Sequence, residues 1–257
     1  MAVAVFDLDG TIYFERRLAD GICEAVASWR ARGHVAVVAT GKSPAGIRDA
    51  LGGTAFHCDY FLASTGAAIL DAHGNCLLQR SIPTETVHQL RHLAEGLNNV
   101  AVYASTLDTR DGRLYDTTGN TESSVLDRSE DFDPATLSEH TVTQVPFWVP
   151  GDEEKLLGLM QRIASIPGVT PVRNQDFIDV VPEGINKGAG VQWLLSHLEL
   201  GMGPLYTFGD SWNDLTMHAV ADRSFSLPWS PAAVKNATDE VIDSVSGTLS
   251  QLLKQSV

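Results

Sequence analysis

The sequence predicts an α/β fold in which a parallel core sheet is interrupted by an inserted α+β segment, and three observations carry that reading. Short apolar strands alternate with amphipathic helices over residues 1–82 and again after residue 183. Between them the order changes to helix, strands, helix, strands. Two of the apolar strands run directly into acid-rich turns, at the carboxyl edge where open α/β sheets bind ligands.

Val3–Asp7 sets four apolar residues ahead of an acid and reads as a buried strand. A helix is predicted over Gly21–Arg32, with Ile22, Ala25, Val26 and Trp29 on one face, followed after Gly33 by a second buried strand, Val35–Thr40. Ser43 and Pro44 read as N-cap and first helical residue of a helix through Ala45–Leu51. Tyr60–Ala63 and, much later, Leu205–Phe208 are further buried strands, so a parallel sheet covered on both faces is expected. Inside the interruption the spacing predicts a helix over 84–97, a strand over 100–105, a polar turn through Asp111-Gly112 and a loose acidic stretch from Thr117 to Asp133. Strand Thr141–Val149, helix Asp152–Ala164 and the strands Val169–Arg173 and Phe177–Val181, joined by Asn174-Gln175-Asp176, complete it. Asn186 reads as the N-cap of a helix over 187–198. Two units are expected: a core from 1–82 and 183–257, and an insertion from 83–182, connected by hinge strands at Ser81–Pro83 and Pro182–Gly184.

Composition narrows the partners. With 18 basic against 32 acidic residues, the formal charge of −14 disfavours nucleic-acid phosphates and anionic membranes, while a small anion can still bind at a local positive site. The longest apolar runs are strand-sized, and the chain enters its first strand without a basic leader, so a soluble cytoplasmic protein is expected. Cys23, Cys58 and Cys76 are odd in number and lack CxxC spacing, which predicts reduced thiols.

Residues i and i+2 of a strand point the same way, so Asp7 and Asp9 are expected to project together from the strand's end. An isolated Asp9-Gly10-Thr11 would read as an Asx turn; the apolar strand and Asp7 ahead of it speak for a site. Gly209-Asp210-Ser211-Trp212-Asn213-Asp214 forms a second acid-rich turn, although Asp214 also suits the first turn of a helix. Carboxylates converging from both turns would need a cation, and an all-oxygen set suits Mg²⁺. Thr40-Gly41-Lys42 offers a hydroxyl and a glycine that lets backbone amides approach an anion, or a routine strand-to-helix turn. Lys187 in a helix's first turn opposes the macrodipole, a choice that points to function, although an exposed lysine there would lose only about tenths of a kcal/mol.

The ordered set FDLDGT, ATGK, NKG and GDSWND resembles the four motifs of the haloacid dehalogenase-like superfamily. The insertion resembles the type-II cap of its Cof-type sugar-phosphatase branch in element order and position. The resemblance implies a Rossmann-like core and a Mg²⁺-dependent phosphatase acting on a small phosphorylated metabolite, a sugar phosphate, through an aspartyl-phosphate. It implies Asp7 as nucleophile and Asp9 as the group that protonates the leaving oxygen and then activates water. Thr40, Gly41, Lys42, Lys187 and Asn213 fall in phosphate or substrate binding. Asp7, the Asp9 carbonyl and Asp210 fall to the metal, with Asp214 a direct or water-mediated ligand. A phosphomutase shares these motifs, and a non-catalytic metabolite-binding protein could share the fold. The chain departs from the family in reading Ser64-Thr65-Gly66-Ala67 where Asn-Gly-Ala is usual, and in the Pro-Trp-Ser-Pro of Ser226–Lys235. Trp212 and Trp229 read either as lining the site mouth or, the favoured role, as packing in the interior, and His88 and His92 are expected to be exposed rather than zinc ligands. Trp148, Arg173 and Asn174 read either as substrate contacts or as core and turn residues.

Overall fold

The computed structural model describes residues 1–119, 130–197 and 203–255. The first unit runs β1 (Val3–Phe6), a small hairpin of β2 (Tyr13–Phe14) and β3 (Arg17–Leu18), α1 (Ile22–Ala31), β4 (Val35–Ala39), α2 (Pro44–Leu51), β5 (Tyr60–Ala63), β6 (Ala68–Asp71) and β7 (Cys76–Gln79). The insertion contributes α3 (Thr84–Ala94), β8 (Ala101–Thr106), β9 (Gly112–Asp116), β10 (Glu130–Asp131), β11 (Val142–Trp148), α4 (Glu153–Ala164), β12 (Val169–Asn174) and β13 (Phe177–Pro182). The chain then returns through α5 (Lys187–His197), β14 (Leu205–Phe208), α6 (Leu215–His218), β15 (Arg223–Ser226), α7 (Ala232–Ala237), β16 (Glu240–Val241) and α8 (Val245–Gln255).

Among the described residues the core sheet has eight strands in the order β16-β15-β14-β1-β4-β5-β6-β7. It is parallel from β16 to β5 and ends in antiparallel β6 and β7. The central strands VAVF and VAVVA are apolar at every position because helices cover both faces. Ala4 and Phe6 face a layer with Val26, Trp29 and Leu249, while Val3 and Val5 face Val191, Leu194 and Met217. The insertion forms its own sheet, β10-β9-β8-β11-β13-β12, antiparallel except for the short β9–β10 pair. Its apolar core, including Val87, Leu90, Phe147, Leu159 and Ile178, is a separate cluster.

Several expectations shift, each for a local reason. β1 and β4 stop one residue early, although Asp7 N–H still donates to Phe208 O at 2.8 Å and Thr40 N–H to Leu62 O at 2.9 Å. Helix 84–97 stops at Ala94 because Gly96 turns left-handed at φ +78°. Gly112 opens β9 rather than sitting in the turn. Of the stretch 117–133, residues 120–129 lie outside the described residues, and Glu130–Asp131 pairs with β9. The helix over 187–198 is seen to His197; residue 198 lies outside the described residues, as do 256 and 257. The connections are not free strands: Arg80 N–H still bonds Ala67 O in the core, Ile82 N–H already bonds Val142 O in the insertion, and Pro182 ends β13.

Candidate active site

Adjacent parallel strands place the acids. β1 and β14 pair in register, Phe6 opposite Phe208, so Asp7 and Asp210 leave the sheet side by side. Leu8 is fully buried and its carbonyl accepts the N–H groups of Ile12 and Tyr13 at 3.0 and 2.8 Å. That turn leaves Asp7 and Asp9 on the cleft. It needs Gly10, which sits at φ +83° and where a Cβ would lie 2.6 Å from Asp210 Oδ2.

One oxygen each from Asp7, Asp210 and Asp214 lies within 4.8 Å of the others, the three side chains all buried. Thr11 Oγ1 donates to Asp210 Oδ1 at 2.9 Å and lies 3.3 Å from Asp7 Oδ2. Lys187, fully buried, donates from Nζ to Asp7 Oδ1 and Asp214 Oδ1, both at 2.6 Å. Asn186 caps its helix by accepting from Ala189 N at 2.8 Å. Asp214 spends its other oxygen on the amides of Asp210 and Ser211, at 2.9 and 2.8 Å, and so holds lysine and loop together.

Burial pushes Asp7 up to about 6 against the pull of Lys187. Burial, then the charge of Asp7, pushes Asp210 up to about 8. Burial would lower Lys187, but Asp214 and Asp7 more than offset it and its pKa is raised. Burial raises Asp9 as well, opposed by Lys42, whose Nζ lies 3.2 Å from Asp9 Oδ2. Three carboxylates against one lysine leave a negative pocket of oxygen donors, which fits a hard dication.

Thr40, Gly41 and Lys42 line the cleft with Asp7 and Asp9. Lys187, Asp210 and Asp214 reach it through Asp7 and Thr11. Asn213 is buried in the turn, its Oδ1 without a hydrogen-bond partner among the described residues. The insertion forms the far wall of this partly open cleft with Ser105, Asp111, Gln144, Asn174 and Asp179. Sequence reading missed all of these except Asn174, which donates to Asp179 Oδ2 at 3.2 Å. The available signal was a polar residue in an otherwise apolar strand: Gln144 in VTQVPFW and Asp179 in FIDVVP. Thr65, in the departure from Asn-Gly-Ala, adopts φ +56° and reaches Gln144 Oε1 and Asp179 Oδ2 at 3.1 and 3.2 Å.

The tryptophans correct the packing expectation. Trp229 is 54% exposed, donates to Gly10 O at 2.8 Å and meets the Phe14 ring edge-on, because the Pro-Trp-Ser-Pro turn holds it against the β2–β3 hairpin. Trp212 lies 3.9 Å beneath the Arg173 guanidinium, a contact between insertion and core, while Trp148 stacks on Phe177. His92 is exposed and pairs with Glu95.

Fold and site together define a haloacid dehalogenase-type phosphatase: a parallel core, an inserted antiparallel cap and a carboxylate–lysine cluster between them. The family model for haloacid dehalogenase-like hydrolases matches residues 4–247, and the chain belongs to that family. The HMP-PP phosphatase of Klebsiella pneumoniae (strain 342) is 26% identical, over 88% of this chain and 83% of its own. The subclass IIB sugar phosphatase BT4131 superposes with a TM-score of 0.79 at 20% identity, covering 98% of this chain and 99% of that one. A haloacid dehalogenase-like hydrolase from B. subtilis gives 0.83 at 16% identity, covering 98% and 100%. No helix of the described residues is long and apolar enough to cross a membrane.

Proposed function

We propose that the chain is a Mg²⁺-dependent phosphatase that hydrolyses a small phosphorylated metabolite, a sugar phosphate, through a phosphorylated Asp7. The observation that carries this reading is the buried Asp7–Lys187–Asp214 contact beside Asp210, opening through Asp7 onto a cleft that also holds Asp9. Asp7, the Asp9 carbonyl and Asp210 would hold the metal, which when bound neutralises charge on the phosphoryl oxygens. Asp214, with both oxygens committed to protein donors, acts by fixing Lys187 and the 209–211 turn.

Lys187 orients Asp7 for attack and supplies positive charge to the transferring group. Thr40 and Gly41 receive the phosphate at the end of β4, and Asn213 positions the turn. Asp9 delivers a proton to the leaving oxygen and later takes one from the attacking water, with Lys42 holding its carboxylate in place. The cap recognises the leaving group, and the domain division at 1–82, 83–182 and 183–257 is part of this proposal. Release of inorganic phosphate from a metabolite panel, with Mg²⁺, with EDTA and with Asp7→Asn, tests it. Turnover that depends on Mg²⁺ and is lost in the variant is expected; full activity in chelator, or in Asp7→Asn, overturns the reading.

A further inference from the structure

The cap side of the cleft carries an asymmetric set of charges. Its lining residues are Ser105, Asp111, Gln144, Pro146, Asn174, Gln175, Phe177 and Asp179: two carboxylates and, among the described residues, no cation. The nearby lysines, Lys42 and Lys187, stand on the core side, at Asp9 and Asp7. A leaving group held against this wall therefore meets acceptors and amides from the cap, with the cleft's one lining lysine, Lys42, on the opposite side.

Both acids are built into place. Asp179 is 3% exposed, accepts from Gln144 Nε2 at 3.0 Å, and sits over Gly41, where a Cβ would come within 2.9 Å of its Oδ2. The close approach is possible only because residue 41 has no side chain. Thr65 holds it from the core side at the cost of a left-handed backbone that a β-branched residue rarely adopts, and such strain persists where the surroundings impose it. Asp111 accepts from Ser43 Oγ at 2.9 Å through Oδ2; the Ser105 hydroxyl stands beside the carboxylate, but the buried Oδ1 has no partner within 3.5 Å among the described residues. A buried acceptor without a donor is costly, and a ligand hydroxyl or ammonium satisfies it.

We propose that Asp179 and Asp111 make the enzyme select phosphate monoesters whose leaving group presents hydroxyl or amino hydrogens and carries no negative charge. The proposal rests on the phosphatase reading above and narrows its substrate class. A second phosphate or a carboxylate on the leaving group would face the buried Asp179 and the half-buried Asp111 and be disfavoured, whereas a polyol or amino alcohol would donate to them.

Matched probes test it on the intact protein. Glycerol 3-phosphate and 3-phosphoglycerate share a skeleton and differ in a hydroxymethyl against a carboxylate; phosphoethanolamine and phosphoglycolate differ in an ammonium against a carboxylate. Selectivity within each pair is read as the ratio of kcat/KM, or of Ki against nitrophenyl phosphate where turnover is slow. A preference of about 100-fold or more for the donor-bearing member is expected, falling about ten-fold or more in Asp179→Asn or Asp111→Asn. A ratio cancels any general loss of activity, so a merely structural role for either acid would leave it unchanged. A shift in either variant assigns the discrimination to that carboxylate. Equal use of both members by the wild type, or ratios unmoved in both variants, overturns the proposal. Hydrolysis of nitrophenyl phosphate separates the two failures: if it is absent with Mg²⁺, the phosphatase reading falls, and if it is present without charge selectivity, only the substrate class falls.

Discussion

Lys187 shows how a single residue can be legible in kind and hidden in degree. Its place in the first turn of a helix marks it in the sequence as an unfavourable choice, but no spacing rule announces that it is fully buried between two carboxylates at 2.6 Å. Lys187→Met should therefore cost about 3–5 kcal/mol in urea melts, because Asp7 and Asp214 are left buried without a counter-charge. Adding Asp214→Asn should restore part of that stability, and a double-mutant cycle with no coupling would refute the pairing. Asp179 is the opposite case, an acid hidden inside an apolar strand and silent until its neighbours are known. Burial, opposed chiefly by Asn174, raises it from the ordinary 3.8 to about 7. The folded state then binds more protons than the unfolded chain between those values, so this group's contribution to stability is present at acid pH and lost as pH rises through about 7. Asp179→Asn should flatten the fall in Tm between pH 5 and pH 8; an unchanged slope would mean the carboxyl is not the group that titrates.

At the scale of elements, the central strands were readable because burial on both faces makes them apolar throughout; Tyr60–Ala63 and Leu205–Phe208 have the bounds the sequence suggests. The edge strand β12 was readable as well, over Val169–Arg173, but three other edge strands were not. Exposed CLLQ in β7 and the two-residue β10 and β16 carry no period to read, since one face or one side of each meets solvent. Three of the four motifs could be placed at strand ends and the fourth at a helix start, but the opposite wall of the cleft comes from β11 and β13, whose partners in the core lie about 80 to 140 residues away in sequence. Their contact at Gly41 gives a prediction. Gly41→Ala puts a Cβ 2.9 Å from Asp179 Oδ2 and 3.4 Å from Asn174 Nδ2, which should prop the cap away from the core. An increase in KM and a fall in kcat/KM of about ten- to a hundred-fold are expected, with Tm nearly unchanged. Wild-type kinetics in this variant would show that the cap seats independently of Gly41.

The whole molecule has its apolar interiors in separate units, and what joins them around the cleft is mostly polar: Ser43 to Asp111 at 2.9 Å, Ser64 to Thr143 at 2.8 Å, Arg110 to Asp49 at 2.9 Å. Apart from Leu107 of the cap, which packs against the core's apolar cluster, such an interface can open without exposing a core. Replacing the cap by a short Gly/Ser linker between Ile82 and Glu183 should leave a folded core that hydrolyses nitrophenyl phosphate weakly and no longer ranks natural metabolites. A truncated chain with no cooperative melt would mean that the two units depend on each other. For the intact protein, saturating Mg²⁺ should raise Tm, because a ligand that binds only the folded state stabilises it by about 2.7 kcal/mol at 100 times its Kd; no shift would argue against the Asp7–Asp210 site.

The order of the chain also has a consequence for its synthesis. Asp7 leaves the ribosome some 180 to 207 residues ahead of Lys187, Asp210 and Asp214, which complete its surroundings. The insertion, contiguous in sequence, can form while β1 still lacks its neighbour β14. A nascent chain thus carries Asp7 unassembled until β14 and the turn after it have emerged, and a ribosome-bound product truncated before residue 205 should hold a folded cap but no activity.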